Sequence, residues 1–498
     1  MLVKLDNGYN YYKKMKCQNT KLDPITVAHL TRPAFLAILF LLSSAVLLCA
    51  GEFSAEASEL KYPSIRLEVA EAFLDAPLRN TKDELVQGAQ VFEDALHRSG
   101  AVYRDFELEK VLQEILPVDV LGDKAQGFRY RIYVLKDPTV NAMTTPTGSI
   151  YINSGLLAIL GNTDQLRLVL GHEVHHILNQ DIVHQYKKFK EEVGAIRLIQ
   201  LLAAPVAAVA VGTSDADTGR VIANVYTAAN LTVSISYRLA FLGYGREAEN
   251  QCDQFALRIF NKNHYDLESA KRVFQLFEDE HEKYGQGFRS HFFLDHETGK
   301  QRAERVEKFM KEVAYEGPAV AIDKPDPRYD ERTQVIRLEN ARLNIKVKRP
   351  QHAIDDLERL RKAFPQEARV LCLLGRAYTM ISEDPKYLKQ ELSGDAWKKL
   401  KIKDEKIQKQ AWADKAVEYF TQSIQMDVAY ADPYKDLASL NEAQEKYIDA
   451  EKNLQKYLAL SPQAKDVRYI KAKLEKIKDK IKSVQEEELK SKGRKKKT

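Results

Sequence analysis

The sequence predicts a mainly α-helical chain with one small β-sheet, an α+β region followed by a solenoid of helical repeats. Three observations carry this. Apolar residues step by three and four over most of the chain, as on the buried face of a helix. Only two short stretches, between residues 128 and 152, alternate as strands do. Beyond a proline-rich stretch, alanine, leucine, tyrosine and proline recur at a spacing near the 34 residues of a helical repeat.

A chain of 498 residues is too long for one compact core, so more than one domain is expected. With 44% hydrophobic and 30% charged residues it has the composition of a globular protein. The net charge of +5 is small, and no basic stripe is interleaved with aromatics, which argues against nucleic acid as a partner. The Lys492-Gly493-Arg494-Lys495-Lys496-Lys497 run reads as a solvated tail, or as a contact for an anionic surface.

Residues 1–57 form a leader. Ala34 to Ala50 is apolar, Lys13, Lys14, Lys16 and Arg32 precede it, and Ala55-Glu56-Ala57 has the form that signal peptidases cut. An export signal placing the protein in the periplasm is the first expectation. An uncleaved inner-membrane anchor at residues 34–50 is the second, with membrane association otherwise peripheral. A start at Met15 would give a more ordinary leader length, and Leu48 before Cys49 is too large for lipoprotein cleavage. Without the leader only Cys252 and Cys372 remain, both in helical patterns, and they read as buried free thiols.

Residues 58–316 form the α+β region. Leu108, Val111, Leu112, Ile115 and Leu116 mark a helix, Phe128–Val134 a strand, and Ser149-Ile150-Tyr151-Ile152 a second strand after the turn-forming Pro146-Thr147-Gly148. Ser149–Ile152 is expected at the sheet edge, where an extended substrate could add as a further strand. Asn162 caps the next helix, with Gln165 in a capping-box position. Leu198 to Phe260 reads as a helical hairpin, either buried and lid-like or dipping into a membrane.

Residues 317–330, with Pro318, Pro325 and Pro327, form a linker. Over residues 331–466, Tyr434, Leu437, Ala438, Ala450, Leu454 and Pro462 have the spacing of a tetratricopeptide (TPR) unit. Ala416 and Phe420 match the unit before it, Ala353, Leu357, Leu360 and Pro365 another, and Leu374, Gly375 and Tyr378 a first helix. A charged insertion of about 29 residues interrupts this array before Ala416. Residues 467–498 form a capping helix and basic tail, with Val467, Ile470, Leu474, Ile477, Ile481 and Val484 on one face.

His172-Glu173-Val174-His175-His176 is an H-E-x-x-H motif. On a helix, His172 and His176 are one turn apart, so both rings can reach one ion, and Glu173 is placed to accept a proton from water there. His175 points aside and reads as packing or as support. A catalytic zinc site needs a third protein ligand, His or Glu. Downstream, Glu249 and Asp253 share one helical face, which suits a carboxylate ligand and a carboxylate orienting a histidine ring.

Asn141-Ala142, Pro146, Gly148, Ile152-Asn153-Ser154-Gly155-Leu156-Leu157, the H-E-x-x-H helix and the E-x-x-x-D helix occur in the order seen in the family of CAAX-prenyl endopeptidases and HtpX-type proteases. The chain resembles its periplasmic, BepA-like branch, which carries a C-terminal TPR domain. The resemblance covers residues 128–308 by motif and the rest by architecture. It implies an α+β zincin-like metallopeptidase domain followed by an α-helical TPR solenoid, one Zn2+ per chain, and protein or peptide substrates. His172, His176 and Glu249 would be the ligands, Glu173 the general base, and Asp253 a supporting residue. The implied task is quality control of misfolded or stalled outer-membrane proteins, with the repeats binding substrate or the outer-membrane assembly machinery. The rival reading is a TPR adaptor or chaperone with a gated or silent peptidase site. Two departures stand out. Cys252 replaces the usual alanine, and Asp295-His296-Glu297 stands where the family has Thr-His-Pro. His296 is expected as an oxyanion donor, as a fourth ligand latching the site, or as a surface residue; Arg302 and Arg305 compete for the family's arginine.

Overall fold

Helices build almost everything in the computed structural model, which describes residues 76–115, 130–187, 246–285, 298–317 and 327–495. His296, the leader 1–57, Phe128, Arg129, residues 198–245 of the expected hairpin and 318–326 of the linker lie outside the described residues. Among those described, no helix is long and apolar enough to cross a membrane.

Helix α1 (Ala76–Arg98) and α2 (Phe106–Ile115) precede strand β1 (Arg131–Leu135). Strands β2 (Ala142–Thr144) and β3 (Ser149–Asn153) follow, joined by a turn in which Gly148 has φ of 86°, the left-handed region that glycine enters freely. The strand order is β1-β3-β2, with β1 parallel and β2 antiparallel to β3. This corrects the edge expected at Ser149, Ile150, Tyr151 and Ile152. Tyr151 is paired on both sides, with Tyr133 and with Met143, and all five β3 residues are buried. The outer strands among the described residues are β1 and β2. The reason is local: β2 has three residues, too few to show an alternation.

The chain leaves β3 directly into α3 (Ser154–Ile159), then α4 (Thr163–Leu178), α5 (Arg246–Lys262), α6 (Leu267–Tyr284) and α7 (Gly299–Glu312). Caps set their starts. Asn162 accepts from the Gln165 amide at 2.9 Å, Asp266 accepts from Glu268 and Ser269, and Thr298 with Gln301 forms a complete capping box. At the β3–α3 corner the Gly155 amide donates to Asp137 O at 3.0 Å, and a Cβ on Gly155 would lie 2.3 Å from Pro138 O. That neighbour is backbone and cannot swing aside. Gly155→Ala is therefore expected to cost about 1–3 kcal/mol by overpacking, read as a lower urea midpoint; an unchanged midpoint contradicts the tight corner.

Then come α8 (Pro327–Lys346), α9 (Pro350–Ala363), α10 (Ala368–Glu383), the short α11 (Lys386–Glu391) and α12 (Gly394–Lys399), α13 (Glu405–Met426), α14 (Asp432–Ala443), α15 (Tyr447–Leu460) and α16 (Val467–Lys495). Of the positions that carried the repeat spacing, Ala353, Leu357, Leu360, Ala416, Ala438, Ala450 and Leu454 are fully buried, while Pro365 and Pro462 at the helix ends are exposed. Gly375 lets α10 meet α13, since a Cβ there would stand 2.6 Å from the Phe420 ring. The charged insertion supplies α11, α12 and the start of α13. Ile470, Leu474 and Ile477 of α16 are buried against the α14–α15 pair, whereas Val484 is exposed.

The described residues fall within one compact unit, and an apolar core runs from Ile132, Ile150 and Leu170 to Ile336, Leu357 and Leu374. Buried polar groups cross it as well. Tyr329 of α8 donates to Leu157 O at 2.6 Å, Ser154 to Asn340 Oδ1 at 2.8 Å, and Asn340 to Asp356 Oδ2 at 2.7 Å. Arg359 of α9 reaches back to Glu280 of α6 at 3.3 Å.

Candidate metal centre

Helix α4 is buried along most of its length, and it crosses α5 closely: a Cβ on Gly171 would lie 3.2 Å from the Ala256 Cβ. The small residue before His172 thus brings α5, with Glu249, up to the two histidines. His172 and His176 turn their Nε2 atoms to within 3.1 Å of each other. Glu249 Oε2 lies 3.0 Å from His172 Nε2, and Oε1 lies 3.4 Å from His176 Nε2. Four-coordinate zinc with nitrogen and oxygen ligands at about 2.0–2.2 Å spaces neighbouring donors roughly 3.3–3.6 Å apart. The three donors stand close to that spacing.

The far side of each ring is held by a carboxylate. His172 Nδ1 donates to Asp253 Oδ1 at 3.0 Å, and His176 Nδ1 donates to Asp181 Oδ2 at 2.8 Å. Both bonds fix the tautomer whose Nε2 lone pair faces Glu249. Asp253 is gripped in turn by Arg302, through Nε at 2.9 Å and Nη2 at 2.6 Å, and by Arg305 at 3.1 Å. Of the two arginines, Arg302 is the buried one, 2% exposed and stacked on the Phe274 ring.

A second donor set, His172, His176 and Cys252, is also compact. The Cys252 sulfur, however, lies 3.3 Å from His176 Nδ1, on the edge already engaged by Asp181. The sulfur thus lies on the Nδ1 edge of His176, whereas the Glu249 carboxylate meets both Nε2 atoms. His175 is half-buried, with Nδ1 3.2 Å from the Cys252 sulfur and its ring against Phe255.

The electrostatics fit a cation. Burial raises the pKa of Glu173, with the His176 and His172 rings pulling back. Burial also works against charge on His172, but Glu249 and Asp253 outweigh it and raise the ring's pKa. Burial likewise opposes ionisation of Glu249, and the two rings overcome it, holding the carboxyl well below its ordinary value. Burial pushes the Cys252 thiol up to about 12. Four carboxylates (Glu173, Asp181, Glu249 and Asp253) surround two imidazoles within reach of Arg302. A divalent cation at the two Nε2 atoms and Glu249 balances that charge with a chemically apt set of donors.

The structure thus brings together His172, Glu173, His176, Glu249 and Asp253 from the sequence, places Ser149–Ile152 in the sheet centre instead, and leaves His296 outside the described residues. Asp181 was missed. Its one signal is position, just past the C-terminus of the motif helix, where Asn179 donates to its Oδ1 at 2.6 Å. Also missed was Glu93 of α1, whose carboxylate accepts from Thr145, Thr147 and Ser149 and ties α1 to the β2–β3 turn. A cavity lined by Lys82, Thr144, Pro146, His176, Ile182 and Val183 joins β2 to the centre.

Residues 103–337 match the model of peptidase family M48. The chain is 23% identical over 210 residues to the mitochondrial metalloendopeptidase OMA1 of Schizosaccharomyces pombe, covering 41% of this chain and 53% of that protein. It is 45% identical over 56 residues to a protease HtpX homolog of Streptococcus pneumoniae, covering 10% of this chain and 18% of that protein. The chain spans about half the length of the first of these relatives and less than a fifth of the second.

Proposed function

We propose that this chain is a zinc-dependent endopeptidase of the cell envelope that cuts misfolded or stalled outer-membrane proteins. The observation that carries the peptidase reading is the convergence of His172 Nε2, His176 Nε2 and Glu249 beside the buried Glu173. Similarity to the M48 model over residues 103–337 supports it. His172, His176 and Glu249 would hold the ion, which when bound supplies Lewis acidity to water and to the scissile carbonyl.

The chain's own residues do the rest. Glu173 accepts the proton of the attacking water and returns it to the leaving nitrogen. Burial raises its pKa, which makes it a better proton acceptor than an exposed glutamate. Asp253 and Asp181 keep both histidines in one tautomer and orientation, and Arg302 holds Asp253 in place. A substrate strand adds alongside β2, the outer strand on the side of the cavity that reaches His176.

We read residues 331–466, from α8 to α15, as TPR-like repeats capped by α16, presenting surface for substrate or for the outer-membrane assembly machinery. The paired helices and the buried Ala353, Ala416, Ala438 and Ala450 support this. A periplasmic location, with residues 34–50 as signal or anchor, rests on the leader's composition.

One observation favours the gated-adaptor reading. His172, Glu173 and His176 are only 3%, 4% and 2% exposed, so substrate entry requires movement. Cleavage of casein, lost on chelation and restored by one equivalent of zinc, is the expected result. No cleavage at full zinc loading overturns the peptidase and leaves the adaptor. Glu249→Ala tests the ligand set. Removing one of three protein ligands should lower bound zinc along with activity, and stoichiometric zinc in that variant would place the third ligand elsewhere.

A further inference from the structure

We propose that His175, Cys252 and Asp181 form a second cation site, suited to a soft or borderline divalent metal, on the outer side of the first centre. His175 Nδ1 lies 3.2 Å from the Cys252 sulfur, and Asp181 Oδ2 lies 4.0 Å from it. One donor atom from each of the three lies within 4.8 Å of the others. Zinc holds sulfur at about 2.3 Å and nitrogen or oxygen at about 2.0–2.2 Å, which spaces neighbouring donors roughly 3.3–3.7 Å apart. Small rotations of Asp181 and His175 bring all three to bonding distance.

The backbone supports these donors before any ion arrives. His175 is on α4, Cys252 is on α5, and Asp181 lies just beyond α4, so the α4–α5 crossing at Gly171 and Ala256 sets the spacing of the first two. A sulfur, an imidazole nitrogen and a carboxylate form a set that favours zinc or cadmium over magnesium or calcium. Cys252 and Asp181 are buried and His175 half-buried, which makes the His175 side the way in. On binding, Cys252 releases its thiol proton to solvent, and thiolate and carboxylate together neutralise the divalent ion.

The location gives the site a consequence. Asp181 Oδ2 also accepts from His176 Nδ1 at 2.8 Å, and the sulfur is 3.3 Å from that nitrogen. An ion here stands directly behind a ligand of the first centre and draws away the carboxylate that orients it. Metal in excess of one equivalent then slows hydrolysis. That consequence rests on the function proposed above; the site itself does not.

The test starts from full-length protein carrying one equivalent of Zn2+. Cd2+ is added while the ultraviolet charge-transfer absorbance of cadmium–thiolate bonds is followed and bound zinc is measured by elemental analysis. The absorbance is expected to saturate at one added equivalent with zinc retained. Cys252→Ala should lose the absorbance and keep the zinc, and His175→Gln should shift saturation to higher cadmium. Three results overturn the site: no absorbance at saturating cadmium, absorbance rising in step with zinc loss, or absorbance unchanged in Cys252→Ala. Protein that retains no first zinc undoes the proposed function instead. The same titration of that zinc-free protein then decides the second site alone: absorbance that depends on Cys252 and His175 supports it, and its absence overturns it.

Discussion

Glu173→Gln is expected to reduce peptide hydrolysis by about 100- to 10,000-fold, the range a positioned acid–base group contributes, while leaving bound zinc unchanged. The amide matches the carboxylate in size, so the packing around this 4% exposed side chain survives. It cannot accept the proton that the attacking water must lose. The ligands are untouched, since the three donors that converge are His172 Nε2, His176 Nε2 and Glu249. Casein turnover and zinc content of the same preparation decide the matter: turnover comparable to wild type sinks Glu173 as base, and low turnover with lost zinc shows a ligand role instead.

The second large effect is on stability. Asp253→Ala leaves Arg302, 2% exposed, without the carboxylate that meets two of its nitrogens. Removing one partner of a buried ion pair costs about 3–5 kcal/mol, because the other charge stays buried and uncompensated. The same change frees the His172 ring, and loss of such a support lowers metal affinity by roughly 10- to 100-fold. Urea unfolding of the metal-free protein measures the first effect and competition with a chromophoric chelator the second. Unchanged unfolding would mean that Arg302 finds another partner, and unchanged affinity that His172 needs no orienting group.

Much of the centre was legible because helical spacing is short-range information. His172 and His176 had to share a face once they were on one helix, and the same held for Glu249 and Asp253. That Glu249 meets the histidines follows from a crossing, and Gly171 was its only local sign. Asp181 and Glu93 act across loops and elements, where spacing carries no information. The sheet shows the limit most clearly. Ser149–Ile152 alternates and reads as a strand, but its place in the sheet depends on β2, whose three residues have no period. In the sequence Cys252 reads only as a buried free thiol in place of an alanine, and its distance to His175 and His176 appears only when α4 and α5 are packed. The helical build of the C-terminal half was legible because apolar residues such as Ala416 and Ala450, 34 residues apart, sit on buried helix faces. The attachment of α8 through Tyr329 and Asn340 was not, since Leu157 and Ser154, which they meet, lie far off in the sequence.

That attachment limits how such a protein can be rearranged. Ser154, Asn340, Asp356, Arg359 and Glu280 form a run of polar contacts that begins and ends in the α+β region and passes through α8 and α9. Exchanging the helical array for another at residue 327 would strand these groups without partners inside the protein, each at a cost comparable to a lost hydrogen bond or more. The array is therefore not an exchangeable cartridge. Substitutions on the outer faces of α13 to α16 leave this junction intact, whereas recombination of whole segments does not.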